Sequence, residues 1–92
     1  MTQKQQRTIR VYGQVQGVFF RAQAAAFARL HNLTGLVKNE PDGSVYLEAE
    51  GSPEDVQLLV DWCRTGPSRA KVQRCVVADG QPQGHTSFVV ER

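Results

Sequence analysis

Residues that do much of the chemistry in enzymes are scarce in this sequence, which has two cysteines, two histidines and one tryptophan among 92 residues. Cys63 and Cys75 form no C-x-x-C and are too few for a disulfide framework, so reduced thiols in a cytoplasmic protein are the default. No cluster of His, Cys and carboxylates stands at metal-ligand spacing, and no G-x-x-x-x-G-K-S/T run is present. His31 and His85 belong to no Ser/His/Asp set. Neither a metal nor another cofactor is therefore expected. No stretch approaches the roughly 18 apolar residues of a membrane helix, and Met1 to Arg7 lacks the apolar core of a secretory signal. Charge of one sign is also wanting: the net charge is +2, and the basic residues are scattered from Lys4 to Arg92. That pattern lacks the clustered footprint of a nucleic-acid binder. The expected state is a monomer with neither a membrane nor a nucleic acid as partner.

What is present is the composition of one folded domain, 40 % hydrophobic and 22 % charged. Residues 1–7 read as a flexible tail and residues 8–92 as a single domain. Ile9 and Val11 alternate with Arg10 and Tyr12, which predicts a strand over Thr8 to Gly13. Phe20, Ala24, Phe27, Ala28 and His31 fall on one face of a helix that Asn32 can end. Leu33 to Glu40 and the alternation from Val45 predict a hairpin around Pro41-Asp42-Gly43-Ser44, whose Pro and Gly suit a tight turn. Ser52-Pro53-Glu54-Asp55 has the cap, the first-turn proline and the acids of a helix start. Val56, Leu59, Val60 and Cys63 give that helix its apolar stripe, and Gly66-Pro67 ends it. Val72 to Ala78 predicts a fourth strand, its imperfect alternation pointing to a bulge. Ser87 to Glu91 predicts a short fifth. The order β-α-β-β-α-β followed by a strand implies an α+β ferredoxin-like sandwich, with two helices on one face of an antiparallel sheet.

The chemistry is concentrated where the first strand meets the first helix. A glycine-bearing loop running into a helix can aim several backbone N–H groups at one point, and the helix dipole adds positive potential there. Arg21 stands at that helix start, and its guanidinium fork matches two phosphate oxygens at once. Loop amides and one arginine would make a phosphate cradle.

The run Gly13-Gln14-Val15-Gln16-Gly17-Val18-Phe19-Phe20-Arg21 resembles the signature G-x-V-Q-G-V-x-F/Y-R of the acylphosphatase family. The family's second signature has its counterpart in Gly35-Leu36-Val37-Lys38-Asn39, followed by the turn Asp42-Gly43-Ser44-Val45. Gly66-Pro67 with Ala70 and Val72 is similar to the family's approach to its fourth strand, so the likeness runs from about Thr8 to Arg92. The resemblance implies a hydrolase that cleaves acyl phosphates to a carboxylate and inorganic phosphate. It implies that Val15, Gln16, Gly17, Val18, Phe19 and Phe20 form the phosphate-binding loop, that Arg21 binds the phosphoryl group, and that Asn39 orients the attacking water. Leu36 stands where the family usually has an aromatic, and His31 where a leucine is frequent.

Blander roles suit the remaining candidates. His31 and Trp62 read as packing residues, Cys63 as an inert core thiol, and His85 as a solvated loop residue. Tyr12 and Tyr46 could share the open face of the sheet, as in RNA-recognition folds, but Glu48 and Glu50 occupy it with them. A metallochaperone of the same element order would need paired cysteines in the first loop, which has none. Acylphosphatase-like domains also occur within a much longer hydrogenase-maturation protein, whereas a single domain suits a free-standing enzyme.

Overall fold

The structure, a computed structural model, describes residues 4–91. Seven elements follow one another: β1 (Gln5–Gln14), α1 (Phe20–Leu30), β2 (Thr34–Asn39), β3 (Val45–Gly51), α2 (Pro53–Thr65), β4 (Lys71–Gly80) and β5 (Phe88–Glu91). The strands form one sheet in the order β4-β1-β3-β2-β5. The pairings β1–β3, β1–β4 and β2–β3 are antiparallel, as the element order implies. β5 instead lies parallel to β2, pairing Gly35 with Phe88 through Lys38 with Glu91, and makes the sheet mixed.

Period-two burial puts Ile9, Val11, Val37, Val45, Leu47 and Ala49 on the helix-facing side, all fully buried. Helix α1 answers with Phe20, Ala24, Ala25 and Ala28, and α2 with the stripe Val56, Leu59, Val60 and Cys63 expected from spacing. The alanines let α1 lie close on the sheet. Trp62 sits edge-on to Phe20 at 5.2 Å and stacked on Phe27 at 5.8 Å, and Phe27 meets His31 at 4.5 Å. Both residues therefore pack between the helices. Burial pushes the Cys63 thiol pKa well up, in keeping with an inert core residue. Asn32 leaves the helix at φ 58°, in the left-handed region that asparagine tolerates.

Two further expectations are corrected. The expected tail of residues 1–7 is too long: β1 begins at Gln5, and Gln5, Gln6 and Arg7 pair with Gly51, Glu50 and Ala49. Polar composition hid this stretch, because its buried side chain is an amide on the open face, Gln6, which gives Nε2–H to the buried carboxylate of Glu50 at 3.0 Å. Residues 1–3 lie outside the described residues. His85 is likewise no solvated loop residue. Its Nε2 stands 3.1 Å from Glu48 and 3.9 Å from Glu50 on the open face of the sheet. The expected bulge is present on β4, where Tyr12 faces Arg74 and Gly13 faces Val72, leaving Gln73 as the extra residue. Gly13 is required there: a Cβ on it would stand 2.1 Å from the Lys71 carbonyl oxygen.

The open face does not present free aromatic rings. Arg10 and Lys38 stand over Tyr46, and Arg74 stands 4.3 Å above Tyr12. The Tyr46 hydroxyl donates to Glu48 at 2.9 Å. Burial and this carboxylate neighbour raise the Tyr46 pKa to about 12.

Glu50 fastens the β4–β5 connection to this face. Besides Gln6, its carboxylate accepts backbone N–H from Gln83, from Gly84 at 3.2 Å and from His85 at 3.3 Å. Burial pushes its pKa up, but these donors outweigh burial and hold the group below the ordinary 4.5. A depressed folded pKa adds stability that is present above pH 4.5 and is lost as pH falls through the folded value. Glu50→Gln, which turns an amide toward those donors, should cost about 1.5–3 kcal/mol at neutral pH. Urea titrations of both proteins should show that gap narrowing as the pH is lowered below 4.5.

Candidate active site

The two helices begin in opposite ways. At α2 the Ser52 hydroxyl accepts the Asp55 N–H at 3.2 Å, Pro53 takes the first position, and Glu54 and Asp55 face the positive end of the dipole. At α1 the cap residue is Phe19, which offers no side-chain acceptor, and the first turn contains no acid. Among the described residues, no protein acceptor takes a hydrogen bond from the backbone N–H groups of residues 15–22. The donors that every helix exposes in its first turn are therefore open, and the preceding loop adds its own.

Backbone geometry in this loop is of the kind that gathers such donors. Gly17 has φ 76° and Phe19 φ 66°, ψ 20°, and left-handed residues within a loop fold successive N–H groups toward a concavity. Gly17 takes this conformation without strain. Phe19, with a side chain, holds it at about 1–2 kcal/mol. Val15 and Phe20 are anchored in the core, and Val18 packs against it. Gln16 is turned the other way, and its Nε2 donates to the carbonyls of Glu40 and Ser44, both at 2.9 Å. Its side chain thus clips the loop to the β2–β3 turn. That turn is itself braced by Asp42, which accepts from the Ser44 N–H at 2.9 Å and hydroxyl at 2.6 Å. These donors lower the Asp42 pKa.

Val15, Gly17, Phe19, Phe20, Arg21, Ala22, Asn39 and Val90 line one cleft of about 620 Å³. The structure thus brings Arg21 and Asn39 to the same cleft as the loop, although β2 lies a full helix away in sequence. Asn39 is the last residue of β2, paired with Val45, and its Oδ1 is buried with no donor among the described residues. A buried acceptor left without a partner costs about 1–3 kcal/mol, so this oxygen is one that the described part of the fold does not itself use.

Arg21 is partly buried, and its Nη1 donates to the Glu91 carbonyl at 2.9 Å. Further along α1, Arg29 places Nε and Nη2 on the Phe88 carbonyl, at 3.1 and 2.8 Å. Two arginines of one helix thus hold both ends of β5. Sequence reasoning missed β5 as a wall of the site. Its contribution is backbone carbonyls and Val90, and carbonyls carry no residue signature.

Comparison with known proteins agrees with the signatures. The acylphosphatase family model matches residues 7–90. An acylphosphatase of Gloeobacter violaceus is 48 % identical over 82 residues, covering 89 % of this chain and 88 % of that one. The crystal structure of acylphosphatase from Bacillus subtilis superposes with a TM-score of 0.92 at 35 % identity, over 96 % of this chain and 99 % of that one. A full-length HypF, solved in a phosphate- and nucleotide-bound form, contains a region similar to the whole chain at 26 % identity and a TM-score of 0.90, but this is 12 % of that protein.

The open start of α1 yields a test with two opposite signs. Ala22 lies in the first turn and is exposed. Ala22→Glu should stabilise the helix by about 0.3–1 kcal/mol through the dipole, while its carboxylate repels an anion at the same N–H groups. Thermal melts should rise slightly, and calorimetric affinity for inorganic phosphate should fall at least about tenfold.

Proposed function

The chain belongs to the acylphosphatase family, and from that premise we propose how its residues divide the hydrolysis of an acyl phosphate. The backbone N–H groups from Val15 to Phe20 receive the peripheral phosphoryl oxygens at the positive end of α1. Arg21 binds the same oxygens with the guanidinium donors that its bond to Glu91 leaves over. Asn39 Oδ1 accepts a hydrogen bond from a water and turns a lone pair of that water toward phosphorus. The observation that carries this division is that Asn39, whose Oδ1 has no donor among the described residues, lines the same cleft as an uncapped helix start and an arginine.

In the reaction the water oxygen bonds to phosphorus as the bond from phosphorus to the carboxyl oxygen breaks. The bonding pair leaves with the carboxylate, and the water proton passes to the new phosphate or to solvent. A carboxylate whose conjugate acid has a pKa near ~4 departs without being protonated, so the site needs no general acid. The loose transition state of phosphoryl transfer asks chiefly for positioning and for fixed positive dipoles around the oxygens. For these reasons the proposed mechanism is independent of metal. A monomeric, cytoplasmic enzyme is part of the same proposal, and sedimentation of the purified chain tests its first half.

Benzoyl phosphate hydrolysis in the presence of EDTA should proceed at full rate in the unmodified protein. Arg21→Ala should lose about 10²–10³-fold in turnover, the usual cost of removing one such donor. Near-normal turnover would refute its role. Asn39→Ala should lower kcat with KM nearly unchanged, since water positioning matters in the transition state. A raised KM at constant kcat would make Asn39 a substrate binder instead. Inorganic phosphate should inhibit competitively.

A further inference from the structure

Phe19 is the one residue of the loop whose side chain is explained neither by the fold nor by the gathering of phosphate. Its backbone must be left-handed to turn the N–H groups inward, and glycine meets that demand without strain, as Gly17 does two positions earlier. Its ring is not needed for packing. Phe20 is 2 % exposed in the core, whereas Phe19 is 60 % exposed. The ring nonetheless has a defined place. It lines the cleft beside Arg21 and Asn39, and the Arg69 guanidinium stands over it 5.7 Å from its centroid. A cation held against an aromatic face steadies the ring. Val90 of β5, 40 % exposed, lines the same cleft.

A strained backbone and an exposed apolar ring are both unfavourable, and they coincide beside the phosphate cradle. An acyl phosphate carries an organic group on the far side of the bridging oxygen, and the cradle itself recognises nothing of it. We propose that Phe19, with Val90, forms the acyl-binding wall of the site, so that the enzyme prefers acyl phosphates with an aromatic or extended apolar acyl group. This inference rests on the proposed phosphoryl-binding role of the loop and adds the part of the substrate that the loop does not touch. Phe19 acts here in specificity and takes no part in proton or phosphoryl transfer.

The test compares benzoyl phosphate with acetyl phosphate in the unmodified enzyme, Phe19→Ala and Phe19→Gly, measuring kcat and KM for each and the inhibition constant of inorganic phosphate. Phe19→Gly removes the strain along with the ring, and its thermal melt shows whether the fold is kept. Both variants should raise KM for benzoyl phosphate by about 5- to 20-fold, the scale of an apolar contact with a substrate group. Any change in KM for acetyl phosphate and in the phosphate inhibition constant, which report the loop's own hold on phosphate, should be clearly smaller, so that the ratio of the benzoyl to the acetyl KM rises. Equal losses on both substrates with weakened phosphate inhibition, in a folded Phe19→Gly, would overturn the proposal and make Phe19 a residue that shapes the loop. Unchanged constants on both substrates would overturn it too. If the unmodified enzyme hydrolyses neither compound, the phosphoryl-binding reading falls and this inference with it. Hydrolysis of both with no selective effect of Phe19 removes this inference alone.

Discussion

A helix start whose donors are met by no acceptor among the described residues is the constraint around which this structure is arranged. The contrast with α2 makes the point, because the same chain caps one helix with a hydroxyl, a proline and two acids and gives the other a phenylalanine in the left-handed region. Leaving donors and dipole uncompensated weakens α1 by itself. The deficit is borne by packing: Phe20, Ala24, Ala25 and Ala28 are buried against the sheet, and Val15 fixes the loop from below. The phosphoryl group of the proposed reaction would meet potential already in place, with little reorganisation left to make.

Much of this was legible in the sequence, for identifiable reasons. The α2 stripe and its caps, the Asp42-Gly43 turn and the glycine loop before Arg21 are local signals, and local signals survive folding. The juxtaposition of Arg21 and Asn39 is not local. It followed only because two signatures occur together at a characteristic separation, and the sheet order that brings β2 beside the loop lay beyond periodicity. Gln5 to Arg7 escaped notice because a strand that buries an amide against a carboxylate shows no apolar alternation. His85 looked like a solvated loop residue because nothing near it in sequence hints at Glu48 and Glu50 across the sheet. The anchor of Arg21 is a main-chain carbonyl, which any residue would supply.

The polar face of the sheet and the cleft at the start of α1 are joined through one segment. Glu50 gathers the backbone of Gln83 to His85, and that connection delivers β5 to the edge beside β2. β5 has few residues, but Arg29 and Arg21 hold its carbonyls while its ladder with β2 sets its height. A short, arginine-fastened edge strand also presents little free backbone to another chain, which limits edge-to-edge association.

The pairing of Arg21 with Glu91 joins residues separated by 70 positions, one of the longest sequence separations in the molecule. Contacts so distant along the chain form late, because loop closure must be completed before they give anything back. Helix and hairpin can be in place while the guanidinium still swings free, so competence to turn over substrate should lag behind compaction during refolding.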